Sequence, residues 1–245
     1  MDTTKLSINI NKYALLRNSR GHNAPNLLEI IDIVLEAGAH GITIHPRRDQ
    51  RHIRFDDVPV ISDYLTLHHP GVELNIECEL HPELIDMVVK LRPAQCTLVP
   101  VTPGEITSDH GWDLNESGNS LRTTLSELRD VGIRSSIFMD CVPDSMQHAA
   151  EVGTDRIELY TGPYAWAWGG PEQVTQTQLL LDTAKAAAKA GLGVNAGHDL
   201  DRHNLAGIAQ CPYLQEVSIG HAQICRALQI GTTQAIQELL SALAS

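Results

Sequence analysis

One unit recurs along the chain. A stretch with helical periodicity ends in a small residue and a glycine, and a short apolar run follows a few residues later. Ala37-Gly38 precedes residues 42–45, Val131-Gly132 precedes 135–139, Val152-Gly153 precedes 156–160, and Ala190-Gly191 precedes 193–196. Glycine at such a joint takes the left-handed conformation that closes a helix, where a Cβ costs energy. Four α-then-β joints predict a parallel sheet covered by helices. The strands placed this way are 6–10, 42–45, 73–77, 96–100, 135–139, 157–160, 193–196 and 216–219.

The helices between them have recognisable starts. Asn26 is placed to cap the first, with Glu29 as its capping-box partner. Pro82, Pro143 and Pro171 sit where first-turn prolines are tolerated. Residues 173–190 are rich in Ala and Leu, and a final helix is expected over 222–243. Eight repeats in 245 residues fit an α/β fold, one (β/α)₈ TIM barrel domain spanning 1–245. A doubly wound open sheet is the alternative, but no G-x-G-x-x-G follows the first strand. Two connections are long, 101–116 and 161–171. Both follow strands and so belong to the catalytic face of a barrel, where either can act as a lid. For Tyr164, Trp166 and Trp168 the competing role is a subunit contact.

Composition narrows the class. With 42% hydrophobic and 20% charged residues the chain is an ordinary globular sequence, and at 4% aromatic its core must come from Leu, Ile, Val and Ala. The net charge of −12 argues against general nucleic-acid or anionic-membrane binding, although local arginines can still hold small anions. Five scattered cysteines with no C-x-x-C read as reduced thiols of a cytosolic protein. The N-terminus lacks an apolar leader segment, and no apolar run is long enough to span a membrane.

The stretch from Gly41 to His52 carries the first chemistry. Ile42, Thr43 and Ile44, without polar alternation, read as a strand buried on both faces that runs into His45. Arg47, Arg48, Arg51 and His52 follow at once. An acid/base group beside clustered cations suits a phosphorylated substrate, while the plain alternative is a strand ending in a solvated basic loop. The other strand ends are Asn9 with Asn11, Glu77, Thr102 or Thr107, Asp140, Glu158, Asn195 with His198, and Gly220 with His221. In a barrel these ends converge. Each has a structural alternative: an arginine ion pair for Glu77 and Glu158, a helix-closing role for His198, and a simple turn at Gly220-His221. The last pair also opens a helix, and helix N-termini are ready anion sites.

Five runs now point to a family. N-I-N-K-Y-A-L-L-R-N-S-R-G (9–21), G-I-T-I-H-P-R-R-D-Q-R-H-I (41–53), L-N-I-E (74–77), V-N-A-G-H (194–198) and S-I-G-H-A (218–222) resemble the pyridoxine 5'-phosphate synthases. These close the pyridine ring in the deoxyxylulose-dependent route to vitamin B6. The resemblance covers essentially the whole chain in order. It implies a cytoplasmic (β/α)₈ barrel that assembles as a homo-octamer and uses no metal and no organic cofactor. The implied reaction condenses 3-amino-2-oxopropyl phosphate with 1-deoxy-D-xylulose 5-phosphate and releases phosphate and water.

By position, the resemblance implies His45 and Glu77 as proton acceptors, His198 as proton donor and Glu158 as the transition-state stabiliser. It implies Asn11, Lys12, Arg47, His52 and Thr107 as contacts to the pentulose phosphate. Asn9, Arg20, Asp199, Gly220 and His221 fall on contacts to the amino-ketone phosphate. Two positions depart from the pattern: Asn11-Lys12 stands where Asp-His is common, and Asp199 where glycine is common. Competing readings are a Schiff-base aldolase using Lys12, a metal-dependent sugar-phosphate epimerase or isomerase with His45, Glu77, His198 and His221 as ligands, and a non-catalytic phosphosugar-binding protein.

Overall fold

In the computed structural model, which describes residues 3–102, 104–105 and 107–244, the recurring unit closes on itself. Among the described residues eight strands form the sheet: β1 (Lys5–Asn9), β2 (Gly41–Ile44), β3 (Glu73–Cys78), β4 (Gln95–Leu98), β5 (Arg134–Met139), β6 (Arg156–Tyr160), β7 (Gly193–Gly197) and β8 (Leu214–Ile219). Each pairs in parallel with its sequence neighbour, and β8 pairs with β1, so the sheet has no free edge. The helices are α1 (Asn11–Asn18), α2 (Leu27–Glu36), α3 (Asp57–His68), α4 (Pro82–Leu91), α5 (Leu114–Asp130), α6 (Met146–Val152), α7 (Gly162–Ala167), α8 (Gln173–Lys189), α9 (His221–Ile230) and α10 (Thr232–Leu243). No helix among the described residues is long and apolar enough to cross a membrane.

The expected joints hold. Gly38, Gly132, Gly153 and Gly191 all have φ between 79° and 108°. Asn26 caps α2 by accepting from the Leu28 N–H at 3.0 Å, but Glu29 accepts from the Asn26 side chain instead of reaching the backbone, so the capping box is half made. Pro82 opens α4, and Pro143 opens a 3₁₀ turn that leads into α6. Pro171 lies ahead of α8, whose N-cap is Glu172. The single final helix expected over 222–243 is two, broken at Gly231 with φ 87°. The 161–171 connection is largely the short helix α7 rather than open loop, and α1 follows β1 directly.

The strands alternate, and this sets where the core sits. Leu6, Ile8, Ile42, Ile44, Ile76, Leu98, Ile157, Leu159, Val194 and Val217 are buried against the helices and supply the apolar layer. Their neighbours in sequence face the barrel axis and are polar. Ser7 Oγ lies 2.7 Å from Thr43 Oγ1, and Thr97 donates to Asn75 at 3.1 Å. The strand 42–45 is therefore buried on both faces as expected, but its inner face presents Thr43. Barrels commonly fill this space with branched apolar side chains. Here it holds polar groups, several of them hydrogen-bonded to a partner on the neighbouring strand.

At the strand starts the polar interior becomes a charged network. Lys5 and Arg134 both bind the Glu73 carboxylate, the lysine at 3.0 Å. Arg134 also donates to Gln95 at 2.9 Å. Arg156 donates to Asn195 at 3.1 Å, and the Asn195 amide reaches Glu216 at 3.4 Å. Asn195 thus belongs to this basal network and not to the mouth where its strand-end position suggested it. Its place is taken by Gly197, two residues on.

Candidate active site

The mouth of the barrel assembles around His45 and Glu77. Asn9 ends β1, and its side-chain Oδ1 accepts from the Asn11 N–H at 3.0 Å, turning the chain into α1. Asn11 is buried, and its own side-chain oxygen accepts from the His45 N–H at 2.9 Å. That bond pins the backbone where β2 gives way to the basic loop. The His45 ring then points its Nδ1 at Glu77 Oε2, 3.5 Å away, while the Asn9 amide reaches the same oxygen at 3.5 Å. Glu77 is therefore partnered by histidine and asparagine, and not by the arginine its structural alternative required.

The buried polar atoms here without a hydrogen-bond partner among the described residues include His45 Nε2 and Glu158 Oε2. Buried polar groups are almost always satisfied, so an orphan pair in one cleft marks where a ligand's groups belong. Glu158 faces the axis from β6, and its carboxyl occupies the space that a side chain at Gly197 would fill: a Cβ there would collide with Glu158 Oε1. Glycine at 197 is thus a requirement of the glutamate.

Electrostatics sort these groups by protonation. Burial, with Asn9's hydrogen bond opposing it, pushes Glu77 up to about 7. Burial, reinforced by Glu77 and Glu216, holds Glu158 well above the ordinary carboxylate range, which favours its protonated form. Burial, then the nearby His52 and Arg47, holds His45 well below the usual imidazole range, so it is a neutral base. His52 falls to about 4 through burial, Arg47 and Lys12. A neutral imidazole, a carboxyl poised near 7 and a second carboxyl that burial biases toward its protonated form together can take, relay and return protons.

The second histidine enters from the opposite wall. His198 follows β7 with φ 87°, and Asp199 after it has φ 56°. Thr161 holds this bend by donating to the Gly197 carbonyl at 2.6 Å and to that of His198, and the Asn204 amide donates to the Asp199 carbonyl at 3.0 Å. Two successive left-handed non-glycine residues persist only where surrounding bonds fix them, and such strain gathers at functional sites. His198 Nε2 meets Thr107 Oγ1 at 2.9 Å, which ties the long loop after β4 to β7. Tyr160 places its ring edge-on to His198 with centroids 5.2 Å apart, and its buried hydroxyl has no partner among the described residues.

The sequence comparisons agree on one assignment. The family model described as "Pyridoxal phosphate biosynthesis protein PdxJ" matches residues 6–245. A relative from Albidiferax ferrireducens named pyridoxine 5'-phosphate synthase is 46% identical over 248 residues, covering 99% of this chain and 98% of its own. Relatives of the same name from Leptospira biflexa and Bacteroides fragilis are 42% and 45% identical, covering 98% and 96% of this chain and 97% of their own in both cases. This chain belongs to the PdxJ family. Among solved structures, a Mycobacterium tuberculosis tryptophan synthase chain superposes with a TM-score of 0.68 at 13% identity, covering 98% of this chain and 93% of its own. Phosphoribosyl anthranilate isomerase from Thermus thermophilus gives 0.61 at 11%, covering 98% of each chain. Identities this low carry the barrel fold alone.

Within this PdxJ-family barrel the residues singled out from sequence fall into three groups. His45, Glu77, Asn9, Asn11 and Glu158 share the mouth with the buried Arg47 and His52. Lys12 lies in the first turn of α1, close enough to His52 to depress its titration. His198, Thr107 and Asp199 form the opposite wall, with His221 acting on Asp199 from the start of α9. Gly220 is the N-cap of α9 and has no side-chain cap, so the first N–H groups of that helix are open to an anion. Its Cα packs on the Asn9 backbone, where a Cβ would come within 2.9 Å of the Asn9 carbonyl. Arg20 is exposed in the turn after α1.

Three residues escaped the sequence reading. Gly197 and Tyr160 end their strands facing the axis, a position that the alternation of β6 and β7 reveals once the inner face is known to be polar. Trp166 belongs to a trio read as one unit, which the structure divides. Tyr164 is buried, Trp168 packs on it at 5.7 Å, and only the exposed Trp166 turns to the site, donating to Asp199 at 2.9 Å. Asp140 accepts from the Gly111 N–H at 3.0 Å and so holds the loop after β4 instead of facing the mouth. That loop also brings Glu105, Asp109 and His110 within 4.8 Å of one another, a grouping not apparent in the sequence. Glu105 and His110 there already pair at 3.1 Å.

Proposed function

We propose that this chain is a pyridoxine 5'-phosphate synthase, condensing 3-amino-2-oxopropyl phosphate with 1-deoxy-D-xylulose 5-phosphate to close the pyridine ring. The observation that carries the reading is the His45–Glu77 pair with an orphan His45 Nε2, beside the buried Glu158 carboxyl in a barrel that matches the family over nearly its whole length. The substrates bring their own amine and ketone, so imine formation needs no enzyme lysine. The remaining steps are carbon-bound proton removals, dehydrations and loss of phosphate. His45, neutral and buried, and Glu77, poised near 7, act as the proton acceptors. Glu158 donates a hydrogen bond to oxygen that gains negative charge, and His198 returns a proton to the leaving oxygen.

Arg47, His52, Lys12, Asn11 and Thr107 hold the pentulose phosphate on one side. The open N-terminus of α9 at Gly220-His221, with Asn9, the backbone N–H of Asp199 and Arg20, holds the amino-ketone phosphate. The chain works in the cytoplasm as a homo-oligomer, a state that sedimentation velocity of the purified protein tests directly. Mixing the protein with both phosphates and following pyridoxine 5'-phosphate by absorbance and mass tests the reaction. No product, or a borohydride-trapped adduct on Lys12, overturns it.

A further inference from the structure

The His198 wall contains a link, from Trp166 through the Asp199 carboxylate to the imidazole, to which the reaction described above gives no role. Asp199 Oδ2 lies 3.3 Å from His198 Nδ1 and accepts the Trp166 Nε1–H at 2.9 Å. His198 Nδ1 is buried and makes no aligned hydrogen bond in this state, so the carboxylate is its one close polar neighbour among the described residues. His198 Nε2 faces the other way, onto Thr107. We infer that the Asp199 carboxylate, steadied by Trp166, is a positioning group that holds His198 as the Nδ1–H tautomer with Nε2 turned to the substrate.

A neutral imidazole has two tautomers, and the partner of one nitrogen decides what the other presents. Asparagine in place of aspartate can turn its NH₂ toward Nδ1 and select the wrong tautomer. The backbone carries the geometry. At φ 56° Asp199 sits in the left-handed region that short polar residues tolerate, and the bend aims its side chain back at the preceding ring. Trp166 is 67% exposed, an unusual place for an indole unless its N–H is in use. Charged and titratable groups around the pair are His221 from α9, which acts on Asp199, and Tyr160 from β6, edge-on to His198. The His198 contact, more than any other influence, holds the Asp199 carboxyl below its ordinary range.

The inference rests on His198 relaying a proton through Nε2, which takes one from the substrate before returning it to the leaving oxygen, and its test separates the two ideas. In uniformly ¹⁵N-histidine-labelled protein, with His198 assigned by its loss in His198→Gln, the ring nitrogens of the neutral imidazole report the tautomer without substrate. The wild type is expected to show the Nδ1–H form, and Asp199→Asn and Asp199→Gly to lose it. Glycine adopts φ 56° freely, so the second variant keeps the backbone and its N–H. In turnover, Asp199→Asn should lose about tenfold in kcat with KM for the amino-ketone phosphate nearly unchanged, and Trp166→Phe about twofold to threefold. An unchanged tautomer signal in Asp199→Asn, or a KM rise with kcat intact, overturns the positioning role. Absence of any turnover in the wild type overturns the assigned reaction instead, and the ¹⁵N result then still decides what Asp199 does to His198.

Discussion

The two ends of the barrel axis use the same residue types to opposite purpose. At the strand starts, Glu73 lies between Lys5 and Arg134, and Glu216 is reached by amide groups that Arg156 in turn binds. At the strand ends, Glu77 and Glu158 have no lysine or arginine within ion-pair distance among the described residues, and His45 keeps a bare nitrogen. The titrations follow. Burial acts to raise Glu73, yet hydrogen bonds from Arg134 and Lys5 bring it down to about 2, whereas burial takes Glu77 up to about 7. A paired carboxylate keeps its charge and serves the fold. One left among neutral groups sits near the pH at which it can exchange a proton. The mouth forgoes pairing, and the stability that goes with it, to keep groups available for a substrate.

The largest effect follows from breaking the mouth. Glu77→Gln keeps the shape and the Asn9 contact but cannot exchange a proton. Turnover should fall about a hundredfold or more, the scale for losing an acid/base group, with circular dichroism unchanged. Steady-state kinetics retaining near-wild-type kcat would remove Glu77 from the chemistry. The basal counterpart is Arg134→Met, which strips Glu73 and Gln95 of a donor far from the mouth. Unfolding free energy should drop by about 1 to 2 kcal/mol, as for a partly screened charged hydrogen bond, while kcat stays within about twofold. A variant that loses activity without losing stability would mean that the two ends are coupled.

This contrast was only half legible in the sequence. The joints at Gly38, Gly132, Gly153 and Gly191 and the apolar runs declared a barrel, because the left-handed requirement and period-2 burial act locally. His45, Glu77, Glu158 and His198 could be read as strand ends for the same reason. Which polar residues share a layer is a matter of register and strand tilt, set by closure of the whole sheet. Asn195 was therefore misplaced into the mouth, and Gly197, whose only role is the room it leaves for Glu158, carried no signal of its own. The break at Gly231 was hidden by helix-forming residues on both sides, and the role of Trp166 depends on a backbone bend 33 residues away.

Proton linkage sharpens the contrast further. Glu77 binds its proton more tightly folded than unfolded, because its pKa rises from 4.5 to about 7. Its contribution to stability is complete below the unfolded value and is lost as pH rises through about 7. Glu73 has the opposite sign: its contribution is present above 4.5 and is lost as pH falls toward about 2. Thermal unfolding of the wild type should therefore weaken relative to Glu77→Gln between about pH 5 and about pH 8. Arg134→Met lacks much of the Glu73 contribution, so its deficit relative to the wild type should shrink as pH falls from 4.5 toward about 2. Parallel pH profiles for all three proteins would contradict both shifts.

The smallest effect concerns Lys12, in the first turn of α1 on the His52 side of the mouth. Two dianionic phosphates must approach a chain of net charge −12. An ammonium at the rim offsets part of that field, and it does so as a point charge without the geometric demands of a guanidinium fork. Such an interaction is nearly equal in the bound substrate and the transition state, so it sets binding more than rate. Lys12→Ala should raise KM for the pentulose phosphate by about threefold to tenfold and leave kcat within about twofold. The difference from wild type should shrink as salt rises, because screening at about 0.15 M ionic strength already acts over about 8 Å. A collapse of kcat with KM unchanged would make Lys12 a participant in bond-making and revive a Schiff-base route. A salt-independent KM change would instead assign Lys12 a packing role in α1.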